Sequence, residues 1–331
     1  MNINEIAKMA GVSRATVSRY FNDGYVSEEK KEKIREVVEK TGYQPSKQAQ
    51  MLRNKKTKLV GVIIPKINSE SISRIVAGIS EIFSQTEYQI IMANTFNDEK
   101  EEVKYLKIFK ENEVDGIILI GTIFTSAHKK ALKELKVPIV ILGQEVKGHM
   151  CVYNDDYHAA KEVSHRMIEK LEQRHPDGKI AYIGVTQKDE AAGKARREGF
   201  FDALDQCEMD HTQVIEKETG FTFQNGYDAM KALMEEEANI RAVFCATDTL
   251  AIGAMSYAKE RGKNIPEDMM FAGIGDSTIG HGISPRLTTV HLFYKTGGRE
   301  AANILLQMMK SKGQVERQIR MSYKVIENDT I

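Results

Sequence analysis

The sequence predicts an α/β fold: an N-terminal all-α helix-turn-helix head, then a two-lobed body of doubly wound parallel sheets. Three observations predict it. Residues 1–22, MNINEIAKMAGVSRATVSRYFN, place Ala7, Gly11 and Val17 at the spacing two abutting helices need. The alanine lets the helices approach, the glycine permits the turn, and the β-branched valine plugs the core from the second helix. From residue 59 onward, short apolar runs alternate with helical patterns, as in a βαβ series. Charge is also uneven. Residues 1–58 hold 13 Lys and Arg against 7 Asp and Glu, so a +6 head precedes a −6 remainder in a chain of zero net charge. A basic head on an acidic body suits a nucleic-acid-binding module joined to something else.

Composition sets the bounds. At 331 residues two or three domains are expected. The 41 % hydrophobic and 28 % charged content suits a globular protein in water. No apolar run approaches the roughly 18 residues of a membrane helix. Asn4, Glu5 and Lys8 interrupt any secretory leader, so a cytoplasmic location is expected. Cys151, Cys207 and Cys245 are far apart, form no CxxC, and read as small buried hydrophobes in a reducing compartment. The eight histidines are scattered without metal-ligand spacing. HExxH, GxSxG, Walker and GxGxxG patterns are absent. Ser27-Glu28-Glu29-Lys30 spells SxxK, but Ser27 is better placed as the cap of a charged surface helix. The chain therefore reads as no enzyme, with no cofactor and no metal.

In the head, Asn2 and Glu5 form a capping box for a helix running to about Ala10. Gly11-Val12-Ser13 makes the turn, with Ser13 capping a helix from Arg14 to Phe21. Ile6, Ala7, Ala10, Val12, Val17 and Tyr20 supply the small core. Asn22-Asp23-Gly24 is a turn, and Ser27 caps a third helix from Glu28 to about Lys40, striped by Ile34, Val37 and Val38 and ended by Gly42. Arg14, Ala15, Thr16, Ser18 and Arg19 are left facing outward. Residues near the start of such a second helix reach base edges. Arg14 and Arg19 can each donate two hydrogen bonds to guanine, while Ser13, Thr16 and Ser18 suit phosphates or thymine methyls. An exposed arginine is usually just solvated; two on this face, after this spacing, favour DNA.

Pro45 stops the preceding helix, and Ser46 caps a short polar segment carrying Met51 and Leu52. The plain reading is a linker. The sharper one is a hinge helix that folds on DNA and pushes Leu52 into the minor groove.

In the body, the runs at 59–65, 89–94, 116–121, 138–143, 179–184, 242–247 and 269–275 read as buried parallel strands. Helical patterns lie at 71–84, 100–112, 126–135, 157–173, 191–205, 224–236 and 249–261. The series is long enough for two lobes, with the break near Val152 to Tyr157 and later crossovers around Ser284 to Thr296. Loops at strand C-terminal ends line ligand sites in such sheets. Asn68, Ser71 and Ile72 follow the first strand, where polar groups suit hydroxyls or cap the next helix, and Thr122 follows the third.

The head, the Tyr43-x-Pro45-x-x-x-Ala49-x-x-Leu52 segment and the Lys56-Thr57-Lys58-Leu59-Val60-Gly61-Val62-Ile63-Ile64-Pro65 strand resemble the LacI/GalR family of bacterial transcriptional regulators. Pro285-Arg286-Leu287-Thr288-Thr289-Val290 and Arg196-Arg197-Glu198-Gly199-Phe200 carry the resemblance through the body. It implies a helix-turn-helix domain at 1–45, a hinge helix at 46–57 and a periplasmic-binding-protein-like effector and dimerisation domain at 58–331. It further implies a homodimer on near-palindromic operator DNA. Arg14 and Ala15 would take the variable reading positions and Arg19 the more constant one. Paired Leu52 side chains would wedge the central step, and Asn22, Tyr43, Ala49 and Arg53 complete the expected DNA-contacting set. Ser46 stands where Asn is usual and Gln50 where Arg is common.

For the effector, the resemblance implies Arg196 as the contact, Glu190 as a selecting loop residue, and Phe221 as an aromatic stacked on a sugar or base. Asn154 stands where Asp is frequent. Thr247 replaces the usual amide, with Asp248 kept as a helix cap. Gly275 replaces the aspartate that grips effector hydroxyls, leaving Asp276 or Glu190 to substitute. The expected function is a repressor of carbohydrate-utilisation genes, controlled by a small sugar between the lobes. The alternatives are a global regulator answering to a phosphocarrier-protein corepressor, or a regulator answering to a non-sugar ligand such as a nucleobase.

Overall fold

The structure, a computed structural model, describes residues 1–22, 24–43, 57–310 and 317–331. The chain divides into two compact units, Met1–Thr57 and Lys58–Ile331.

The head holds helices Ile3–Met9, Arg14–Tyr20 and Glu28–Thr41. Asn2 Oδ1 accepts from the Asn4 and Glu5 amides at 3.0 and 3.1 Å, and Glu5 returns an acceptor to the Asn2 amide at 2.9 Å. Two orphan donors of the first turn are thereby satisfied. Ser13 Oγ does the same for the Thr16 amide of the second helix. Gly42 ends the third helix in a left-handed conformation, φ 63. Ser27 stands at the cap position of that helix but makes no side-chain cap bond, which corrects the expectation. Ile6, Val17 and Ile34 are fully buried, one from each helix, with Ala7 and Ala10 between them.

The body is built on twelve strands among the described residues. β1 (Leu59–Ile64), β2 (Gln89–Asn94), β3 (Gly116–Ile120), β4 (Ile139–Leu142) and β5 (Met150–Asn154) precede β6 (Lys179–Val185), β7 (Val214–Thr219), β8 (Ile240–Cys245) and β9 (Met270–Ala272). β10 (Thr289–Leu292), β11 (Gln318–Met321) and β12 (Tyr323–Ile326) follow. The first lobe has a parallel sheet in the order β11-β5-β4-β3-β1-β2, and the second a parallel sheet in the order β7-β6-β8-β9. β10 and β12 form an antiparallel pair.

The alternation of side chains along each strand decides which helices it meets. Val60, Val62 and Ile64 pack with helices Glu70–Phe83 and Tyr294–Lys310, whereas Ile63 packs with helices Glu99–Glu111 and Ser126–Glu134. In the second lobe Ile180 and Tyr182 meet helices Asp156–Arg174 and Arg196–Gln206; Ala181, Ile183 and Val185 meet Phe223–Glu236 and Asp248–Glu260. Burial on both faces is why these strands are near-continuous apolar runs.

All seven expected runs form strands. The sequence reading lacked β5, β7, β10, β11, β12 and the helix Tyr294–Lys310. It also lacked a third passage between the lobes. The chain crosses after β5, after β10, and again between β11, which joins the first sheet, and β12, which pairs in the second lobe. Cys151 and Cys245 are buried, but Cys207 is half-buried.

Gly78 and Gly298 bring two helices of the first lobe into backbone contact. A Cβ at Gly78 would lie 2.0 Å from the Lys295 carbonyl oxygen, and one at Gly298 2.2 Å from that of Ile75. Neither obstacle is a flexible side chain. Gly78→Ala is therefore expected to cost about 3 kcal/mol of stability, read from urea unfolding. An unchanged midpoint would show that the helices part freely.

Candidate functional site

Two surfaces carry the candidate chemistry. On the helix Arg14–Tyr20, Val17 points into the core while Ser13, Arg14, Ala15 and Arg19 are exposed and Thr16 is half-buried. Arg14 and Arg19 have no ion-pair partner among the described residues, so both guanidinium groups face outward uncommitted. Ser18 corrects the sequence reading: it is 8 % exposed. A seven-residue helix flanked on two sides by others has a narrow free face, and Ser18 falls beside Val17 on its packed edge. Asn22 is exposed and its amide caps the Ser18 carbonyl. Tyr43 is half-buried, edge-on to Phe21 with centroids 5.8 Å apart, and so serves the head core. Ala49, Leu52 and Arg53 of the expected hinge lie outside the described residues.

The second surface is a cavity of about 440 Å³ between the lobes. Asn68, Ser71, Ile72, Thr122 and Asn154 line it from the first lobe, and Arg196, Phe221, Thr247 and Asp248 from the second. Strand ends put them there: each first-lobe residue lies at or just beyond the C-terminal end of β1, β3 or β5. The lobes touch across the mouth. Lys66 Nζ lies 4.4 Å from the centre of the Phe221 ring, Arg74 donates to the Asp276 carbonyl at 2.8 Å, and Thr278 Oγ1 donates to Glu70 at 2.6 Å. Ser69 stands at the cap of the helix Glu70–Phe83 without a cap bond; its Oγ lies 3.0 Å from that of Ser71, so these hydroxyls are not spent on capping.

Arg196 is buried on the floor of the cavity. Its Nε donates to Asp156 at 2.8 Å, Nη2 lies 2.7 Å from the same oxygen, and Nη1 donates to the Ala246 carbonyl at 2.5 Å. Tyr294 adds its hydroxyl. Burial alone would lower the arginine pKa; the Asp156 carboxylate more than offsets this and the net shift is upward. Asp248 is committed as well, accepting from Thr289 Oγ1 at 2.6 Å and the Ser277 amide at 2.7 Å. It therefore ties the start of β10 to the Ser277 loop rather than capping its helix; Thr247 is the cap.

Two expected substitutes for the missing aspartate lie elsewhere. Glu190 is exposed and pairs with Lys194 one turn on at 3.1 Å, outside the cleft. Gly275 (φ 144) and Asp276 (φ 50) swing the chain so that the Asp276 carboxylate sits between His281 and His291, 2.6 Å from each. The sequence reading missed Asp156, Asp189 and Tyr294, all cleft-lining. Asp189 is the neighbour of Glu190, but only the curl of the chain over Glu190–Ala195 turns it inward.

Asp189 accepts from the Ala191 and Ala192 amides at 3.0 and 2.9 Å. Burial nonetheless pushes its pKa above the usual carboxylate value. A carboxyl with a raised folded pKa binds protons more tightly when folded, so its contribution to stability falls as pH rises through that window. Asp189→Asn keeps an oxygen for both amides. It is expected to flatten the decline in stability above about pH 4, measured by urea unfolding between pH 4 and 7. An identical pH slope in both proteins would show that Asp189 is not strained by burial.

A helix-turn-helix module joined to a two-lobed body with a polar, aromatic-walled cleft defines the class of ligand-responsive DNA-binding regulators. Residues 2–46 match the model of the bacterial regulatory proteins, lacI family, and residues 170–331 that of a periplasmic binding protein-like domain. The chain is 30 % identical over 309 residues to the sucrose operon repressor of Staphylococcus xylosus, covering 93 % of this chain and 94 % of that one. It is 30 % identical to catabolite control protein A of Priestia megaterium, covering 88 % and 87 %. Among solved structures, the transcriptional regulator CelR in complex with cellobiose superposes with a TM-score of 0.73 at 25 % identity, over 100 % and 99 % of the two chains. The chain belongs to the LacI family of bacterial regulatory proteins. No described helix is long and apolar enough to cross a membrane.

Proposed function

We propose that the chain is a repressor of carbohydrate-utilisation genes, released from or fixed on operator DNA by a small sugar held between the lobes. The cleft carries this reading. Phe221 offers a flat apolar face, Asn68, Ser71, Thr122 and Asn154 offer hydroxyl partners, and Arg196 is a pre-oriented donor. This apolar wall with a few fixed polar groups suits a carbohydrate ring. The relatives named for sucrose and cellobiose support the same ligand class.

Arg14, Ala15 and Arg19 read bases, Ser13 and Thr16 contact phosphates or thymine methyls, and paired Leu52 side chains wedge the central base step from the minor groove. Each copy reads one half-site, so the working form is a homodimer acting in the cytoplasm. A ligand bridging the lobes favours one closure state and thereby sets the spacing of the two heads. Coupling of about 1–3 kcal/mol is typical and reciprocal between DNA and ligand.

The test is a panel of mono- and disaccharides in an operator-release assay, with thermal shift in parallel. One sugar is expected to change operator affinity and to raise the melting temperature by mass action. If none does either, the sugar assignment fails. The match to catabolite control protein A supports the second reading, a global regulator.

A further inference from the structure

The loop that follows β9 reaches the first lobe, and its backbone takes an uncommon course to do so. Gly275 has φ 144 and Asp276 has φ 50, both outside the regions that side chains favour. A Cβ at Gly275 would have room, 3.6 Å from the Asp248 carboxyl group, so the conformation and not the space demands glycine. Strain of this kind persists only where surrounding contacts hold it. The second lobe supplies them. The Asp276 carboxylate lies between His281 Nε2 and His291 Nδ1, the Asp276 amide donates to Thr289 Oγ1 at 3.1 Å, and the Ser277 amide donates to Asp248 at 2.7 Å.

The Gly275 and Asp276 carbonyls and the Thr278 amide turn the other way, and the first lobe meets all three. Arg74 Nη1 donates to the Gly275 carbonyl at 3.3 Å and Nη2 to that of Asp276 at 2.8 Å. The Thr278 amide donates to the two Glu70 oxygens at 3.0 and 3.2 Å, and its hydroxyl donates at 2.6 Å. Glu70 and Arg74 stand one turn apart on the helix Glu70–Phe83 and pair at 2.6 Å, so they act as one unit. Burial would raise the Glu70 pKa; the Thr278 and Arg74 bonds more than offset this and the net shift is downward. Hydrogen bonds with one charged partner are roughly twice as strong as neutral ones.

Neither side can yield alone. Gly78 and Gly298 hold the helix Glu70–Phe83 in backbone contact with the helix Tyr294–Lys310, and the loop is fixed by the second-lobe groups just named. Opening therefore parts these bonds together and moves one lobe against the other. Glu70, Ser71, Gly275 and Ser277 also line the cleft, so the same contact closes its wall.

We propose that Glu70 and Arg74, with the loop Gly275–Thr278, form a latch that holds the lobes closed through protein contacts alone and so biases operator binding before any ligand acts. A ligand then works on a body already inclined to closure, and the strength of the latch sets how far it can shift the balance. The inference stands whether the cleft takes a sugar or another ligand.

Amide hydrogen exchange of the full chain without added ligand tests it, with Thr278 as reporter and Ser277 as control. The Thr278 amide is held from the opposite lobe and the Ser277 amide from its own. Arg74→Ala removes the acceptor of neither. It is expected to speed Thr278 exchange by about tenfold or more and to leave Ser277 exchange unchanged. Arg74→Ala and Thr278→Ala remove different parts of the contact. Each is expected to shift the operator affinity of the ligand-free chain several-fold, in the same direction. Slow Thr278 exchange in Arg74→Ala overturns the latch, since Glu70 alone would then hold the loop. Equal acceleration at Ser277 overturns it as well, since the loop would have come loose within its own lobe. Unchanged operator affinity in both variants overturns the bias on DNA binding. Failure of every sugar in the operator assay leaves the latch standing.

Discussion

Arg196→Ala is expected to abolish the ligand response and to remove about 3–5 kcal/mol of stability. The guanidinium holds Asp156 through two nitrogens, the Ala246 carbonyl through a third, and the Tyr294 hydroxyl. Asp156 is 4 % exposed, so the truncation strands a largely buried carboxylate without its charged partner. Against a typical total of about 5–15 kcal/mol this is a large share. Urea unfolding measures it, and the operator-release assay measures the response. A double variant separates the two effects. Arg196→Met with Asp156→Leu removes both charges together, and apolar replacement of a whole buried pair is often near neutral. It should recover most of the lost stability and stay unresponsive. A responsive double variant would take Arg196 out of the ligand site.

Arg14→Ala is expected to weaken operator binding by about 1–3 kcal/mol per half-site, and so about 2–6 kcal/mol in a dimer, the range of a bidentate arginine–guanine contact. Arg19→Ala should behave alike. Both side chains project from the exposed face with no partner to break, so the loss should appear in DNA affinity and not in folding. Fluorescence anisotropy with the operator and its single-base variants is the measurement. A base-reading arginine relaxes discrimination at one position. A phosphate contact weakens all sequences alike and reduces the salt slope by about one. Uniform loss for both variants would assign them to the backbone and leave base reading to Ala15 and Thr16.

The head was largely legible because its signals are local. The Asn2–Glu5 box, the Gly11 turn, the Ser13 cap and the Gly42 stop each act within four residues, and each is present. The seven apolar runs were legible because a strand buried on both faces must be apolar along its length. β7 and β11, which expose alternate residues along part or all of their length, and β12, which has no fully buried residue, gave no such run. With them went the third crossing between the lobes. Ser18 was misread because helical periodicity fixes an angle around one helix and not how much of it the neighbours cover.

Glu190 and Asp189 mark where the cleft stopped being legible. Adjacent carboxylates are equivalent in sequence, and only the curl over Glu190–Ala195 turns Asp189 inward and leaves Glu190 to Lys194. Asp276 was drawn away by two histidines, one of them 15 residues along the chain on β10. The sequence by itself determined a DNA-reading head, a two-lobed body and the loops that meet between the lobes, since caps, turns and buried strands are short-range demands on residue type. Only the tertiary structure decided which carboxylates are spent on other groups and which line the cleft. Ion pairing and burial depend on neighbours that the chain order does not list.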